Sequence, residues 1–104
     1  MTLNENSGGL ISKERAIKLV SAFDKKFPGE IVSSFIGSSN VESLLQQENC
    51  IGLRVYNGYD VGEQKLSLVI VGVGIDGEDL LEAGLIYDEL VKCPDYCPKA
   101  SLLK

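Results

Sequence analysis

The sequence predicts an α+β fold: two helices packed on a small, mainly antiparallel sheet centred on a hairpin of residues 50–59 and 64–75. Three observations lead there. "SKERAIKLVSAFDKKF", residues 12–27, repeats apolar residues at helical spacing behind a serine suited to cap it. "CIGLRVYN", residues 50–57, alternates apolar and polar with a period of two, as a half-buried strand does. "KLSLVIVGVGI", residues 65–75, carries apolar side chains on both faces, the pattern of a central strand.

Taken in order, residues 1–10 are expected to be a polar, glycine-containing, disordered lead-in, and 11–104 to form the single α+β domain that a chain of 104 residues allows. Ile11 and Ala16 bracket Ser12 as a hydrophobic staple. Ala16, Val20, Phe23 and Phe27 fall on one helical face that Leu19 widens, and Pro28-Gly29 stops the chain, so a helix is expected over 13–27. Residues 30–36 fit neither period and read as a short strand or an extended connector. Ser39 and Glu42 have the spacing of a capping box, and Val41, Leu44 and Leu45 share a face, which predicts a second helix over about 40–47.

The hairpin follows. Ile51, Leu53 and Val55 point one way, with Gly52, Arg54 and Tyr56 on the other side. Residues 57–64, "NGYDVGEQ", are turn chemistry. In the returning strand Leu66, Leu68 and Ile70 share a face that Gly72 and Gly74 continue. Matching the apolar sets places Val55 near Leu66, Leu53 near Leu68 and Ile51 near Ile70. Two strands are marginal alone, so a third is expected from 30–36, from 85–90 or from another copy of the chain. "EDLLEAGLIYDELVK" can be drawn as a helix or as extended chain; Gly84 and the placement of Asp88 count against helix, and Pro94 and Pro98 exclude one beyond about residue 92.

Several functions are disfavoured by composition. The chain has no histidine, which removes the commonest general base and the Ser-His and Cys-His nucleophile arrangements. The expectation is therefore not an enzyme, with no catalytic residue and no cofactor. A net charge of −5, with no basic cluster beyond Lys25-Lys26, argues against nucleic acid. The apolar run from Leu66 to Ile75 is too short to cross a bilayer, so no membrane partner is expected. The opening residues carry no signal-peptide pattern, which gives a cytoplasmic expectation. The acidic stretch Asp76, Glu78, Asp79, Glu82, Asp88 and Glu89 reads as a solvated face, or else as a site for a cation or a basic partner.

Three sets of residues carry chemistry worth following. Gly72, Gly74 and Gly77 spell G-x-G-x-x-G, the string of dinucleotide-binding turns. That site needs a full helix and a second parallel strand afterwards, and residues 78–104 leave no room for them. The string therefore reads as a strand with something packed closely over its glycines, then a turn at Asp76-Gly77, with no phosphate bound. Cys50, Cys93 and Cys97 could remain free thiols, form a Cys93–Cys97 disulfide, or hold Zn or Cu(I) as a three-thiolate site; packed free thiols are the default in a reducing compartment. Arg54, Tyr56, Tyr59 and Asp60 gather at the hairpin as an interface or ligand surface, against the plainer reading of an arginine paired with a surface carboxylate beside exposed tyrosines.

"CIGLRVYNGYD" and "GEDLLEAGLIYDELVKCPDYCP", with the "LLQQ" helix before the first, resemble a group of small bacterial proteins marked by a C-x-G-x-R-x-Y-x-G strand and a C-P-x-x-C-P tail. The likeness covers Ala16 to Leu102. It implies a stand-alone module whose Cys-Pro tail belongs to the fold, and it carries no known activity. The functional expectation is a small cytoplasmic, non-enzymatic interaction module whose first partner is itself, as a homodimer or larger homo-oligomer, with an unidentified protein as a further partner. The alternative is a thiol-based metal-binding or redox protein using Cys50, Cys93 and Cys97.

Overall fold

In the computed structural model, which describes residues 2–100 and 103, the elements run α1 (Lys13–Lys26), β1 (Ser33–Phe35), α2 (Ser38–Leu45), β2 (Cys50–Asp60), β3 (Lys65–Gly74), β4 (Ile86–Tyr87) and β5 (Val91–Cys93). They form the expected α+β architecture with two antiparallel sheets, one ordered β2-β3-β4 and one made of β1 and β5. The chain divides into two compact units. One takes residues 2–7 and Ile36–Leu90; the other takes Gly8–Phe35 and the described residues from Val91 onward.

The first unit is built on the hairpin of β2 and β3. Its first strand is longer, its second slightly shorter and its turn tighter than the sequence suggests. Asn57 and Gly58 lie within β2, and the chain turns over Val61–Gln64. There the Asp60 carboxylate accepts from the Glu63 amide, and Gln64 takes a φ of 56°. Val55 therefore faces Ile70 and Leu53 faces Gly72, four residues along from the apolar match with Leu66 and Leu68. A shift of four keeps every side chain on its expected face, because the strand period is two. At the start of β2 a register irregularity between Cys50 and Gly52 takes Ile51 out of the ladder.

β3 is the central strand, as its two apolar faces require, and Ile70–Gly74 are buried throughout. α2 covers the Gly72 face. A Cβ added at Gly72 would lie 2.7 Å from Gln47 Nε2, 3.1 Å from Cys50 Sγ and 3.3 Å from the Leu44 carbonyl oxygen, so the missing side chain is what admits the helix. Leu44, the helix's buried anchor, is fully excluded from solvent. α2 begins two residues earlier than the capping-box spacing suggests. Gly37 stands at its N-cap without a side-chain bond, and Ser39 lies inside the helix with its carbonyl accepting from the Ser43 hydroxyl.

After β3 the chain turns at Asp76-Gly77, with Gly77 at φ +84° and its amide donating to the Gly74 carbonyl. It then runs back along β3. The Gly74 amide donates to the Glu78 carbonyl and the Leu80 amide to the Gly72 carbonyl. Val73 bridges Asp79, and β4 pairs Ile86 with Val71. Residues 78–92 hold no helix; extended chain prevails, and a second turn places Gly84 at φ +73°. The third strand of this sheet thus comes from the 85–90 segment, and residues 33–35 serve the other sheet.

In the second unit, Ser12 caps α1 by accepting from the Arg15 amide, and the Phe27 amide closes the helix onto the Phe23 carbonyl. Gly29, at φ +82°, follows. The apolar stripe forms as expected, with the Phe23 and Phe27 rings 5.1 Å apart, yet no α1 residue is buried. β1 pairs with β5, setting Ser33 against Cys93 and Phe35 against Val91.

Candidate functional site

The residues singled out at the hairpin separate into a tethered cluster and an open edge. Arg54 and Tyr56 project from β2 on the face shared with Val71 and Val73 of β3. Asp79, bridged to Val73, lies on that face as well. Arg54 donates from Nη1 to Asp79 Oδ1 at 2.5 Å and from Nη2 to the Gly77 carbonyl at 3.3 Å, and the Tyr56 hydroxyl donates to Asp79 Oδ2. One carboxylate thus takes a donor on each oxygen and ties β2 to the segment beyond the Gly77 turn.

The electrostatics follow from these bonds. The Tyr56 hydrogen bond, with Arg54 as second donor, holds the Asp79 carboxyl below its ordinary value against partial desolvation. The same bond to Asp79 raises the Tyr56 phenol, and Asp79 raises the Arg54 guanidinium. The arginine is already matched by a carboxylate and a carbonyl, so an incoming small anion would have to displace a charge held in place. This is the structural pairing that the plainer reading of Arg54 describes.

Tyr59 and Asp60 are not part of that cluster. Tyr59 faces Leu66 on the opposite side of the sheet, and Asp60 shapes the turn. With Leu53, Val55, Tyr56 and Val61 they belong to the outer edge of the sheet, where β2 has β3 on one side and no strand of the described residues on the other. Val55 is 52% exposed, Tyr59 57% and Val61 79%.

Sequence reasoning missed Asp79 as a site residue and left it inside the acidic stretch. The signal was Gly77, since a tight turn after a strand returns the chain beside it. Asp76, Glu78, Asp79 and Glu82, with Gln47, Glu48, Leu80, Leu81 and Ala83, line an open depression of about 550 Å³. Asp76 spends one oxygen on the Glu78 amide. Among the described residues no three carboxylates or thiols converge as metal ligands do.

The thiols are distributed as follows. Cys93 and Cys97 form a disulfide with their Cα atoms 4.7 Å apart, which corrects the default of free packed thiols in the tail. Cys93 is buried, its carbonyl accepts from the Val32 amide, and the Tyr96 amide donates to the Lys92 carbonyl, so the loop is anchored to its own unit. Beside it Ser33, Ser34, Phe35, Val91, Tyr96, Cys97 and Pro98 line an open groove of about 550 Å³. Cys50 is a free thiol that donates to the Gly52 carbonyl under α2. Two of the three thiols are thus spent on each other. The G-x-G-x-x-G string ends in a turn followed by extended chain, where a dinucleotide site needs a helix.

No protein-family model, no curated protein and no solved structure matches the chain.

Proposed function

We propose that the protein is a small non-enzymatic interaction module of the bacterial cytoplasm, working as a homodimer. One observation carries the reading: the balance of apolar surface. Among the described residues the buried hydrophobic set is Ile31, Leu44, Ile70, Val71, Val73 and Cys93. Against it stand Phe35, Val55, Tyr59, Val61, Ile75, Leu81, Ile86 and Tyr96, each at least half exposed, besides the unburied stripe of α1. Contiguous exposed apolar surface marks an association site, and Leu53, Val55 and Tyr59 follow one another on one face of β2. The absence of histidine and the internal pairing of Arg54 point the same way. Sedimentation velocity over a concentration series tests it, with a species of twice the chain mass expected; a monodisperse monomer at every concentration rejects it.

The Cys93–Cys97 disulfide favours a second reading, a thiol redox protein. Cytosolic thiols are kept reduced, so in that compartment the pair would cycle between dithiol and disulfide. Thiol counting with native mass spectrometry decides it. A Cys93–Cys97 pair that does not interconvert between dithiol and disulfide across a glutathione redox series, with no bound metal, would remove this reading.

A further inference from the structure

We infer that the outer edge of β2 pairs antiparallel with β2 of a second copy, in the register that sets Arg54 against Asp60 of the other copy. The inference rests on the self-association reading and names its surface.

An unpaired strand edge is a template for another strand, and proteins that do not use it protect it with proline, lysine, a bulge in mid-strand or a covering element. β2 runs for 11 residues without proline or lysine, and its only register irregularity lies at its beginning, between Cys50 and Gly52. The segment Leu3–Ser7 flanks Ile51–Val55 across a depression of about 370 Å³. Its own backbone bond is internal, from the Ser7 amide to the Asn4 carbonyl. Beyond Val55 the edge is open, with Tyr56 and Tyr59 exposed, and no strand of the described residues pairs with it.

Self-pairing about a two-fold axis needs a register that works twice. The charged residues of β2 are Arg54 and Asp60, of opposite sign and the same strand parity. They lie symmetrically about Asn57. A two-fold axis normal to the sheet at Asn57 sets Arg54 opposite Asp60 in both directions and Val55 opposite Tyr59. An opposite-charge pair and an aromatic against a β-branched residue are the cross-strand pairs that stabilise antiparallel sheets. Centring the axis on Arg54 would oppose two cations. Centring it on Tyr56 would set both charges against glycines, Arg54 on Gly58 and Asp60 on Gly52. Arg54 stays tied to Asp79 and Gly77 across β3, so it meets Asp60 of the other copy as a neighbouring charge and not through a direct bond. Asp60 spends Oδ1 on the turn and has a second oxygen. The product is one continuous six-stranded antiparallel sheet.

The test uses the full chain with Asn57→Cys in a Cys50→Ser background. Residues directly opposite have Cα atoms about 4.5–5.5 Å apart, within the span a disulfide bridges. Mild oxidation is expected to convert most of the protein to a covalent dimer through residue 57. A Ser67→Cys control on the central strand should stay uncross-linked. Asp60→Arg is expected to weaken the dimer at least tenfold, and Asp60→Asn, which keeps the turn's acceptor, serves if the arginine variant fails to fold. A dimer by sedimentation that does not cross-link through residue 57 overturns the β2 edge and leaves self-association standing. A monomer at all concentrations overturns both.

Discussion

Asp79 serves two donors from one carboxylate, and that arrangement sets how the cluster answers to pH. Its carboxyl is lowered from an ordinary 3.8, so the stability it lends is full above that value and is lost as pH falls through the lower folded value. Tyr56 is raised from 10.0, so its contribution is full below that value and is lost as pH climbs through the higher folded value. A plateau between about pH 4 and pH 10 is therefore expected from this cluster. Asp79→Asn should lower the thermal midpoint across the plateau and return the Tyr56 phenol toward its ordinary titration, as read by ultraviolet absorbance. The gap between variant and parent should close at the acid extreme; a gap that persists there would remove Asp79 from the account. That Arg54 would pair with a surface carboxylate was legible from its position in mid-strand. Which carboxylate was not, because the partner is 25 residues away and its placement depends on the Gly77 turn.

At the scale of elements, patterns with strong periodicity were readable and offsets were not. The α1 cap and stripe, the helix near Leu44, both long strands and the close approach over Gly72 and Gly74 follow from spacing alone. The hairpin register moved by four because hydrophobic alternation determines parity, and the turn determines the offset. Asn57-Gly58 looks like a turn, yet Asp60 and Gln64 made a better one further on. The tail was ambiguous because β4 and β5 are two and three residues long, too short for any period to show. Two substitutions test the element account. Ser12→Ala removes the acceptor for the Arg15 amide and should cost about 1 kcal/mol in urea unfolding. Gly72→Val puts a branched side chain where Cys50 Sγ and the Leu44 carbonyl already stand, and should cost about 1–3 kcal/mol. A neutral result would mean that α2 does not sit on β3 as described.

For the whole molecule, the two units hold by different means. The hairpin unit relies on the packing of α2 and β3, whereas the other has a two-stranded sheet and a disulfide. Opening so small a loop should cost about 2 kcal/mol by the loop-entropy relation, so Cys97→Ser is expected to lower stability by that amount in thermal unfolding. An unchanged midpoint would show the bridge to be dispensable to the fold. Composition sets expectations at this scale, through charge and the missing histidine. It could not say which edge stays open, since an edge is a property of strand order and strand order is not local in sequence.

The pairing of Phe35 with Val91 has a consequence in time. The strands of the small sheet stand side by side, but everything from Ile36 to Leu90 is made between them. On the ribosome β1 emerges early and has no mate until the chain reaches Cys93, whereas the hairpin and α2 form one nearly contiguous stretch and can fold as they appear. The order of synthesis thus leaves one short strand waiting. Closing the small sheet brings together the ends of a long loop, with the Cys93–Cys97 bridge at the point of closure.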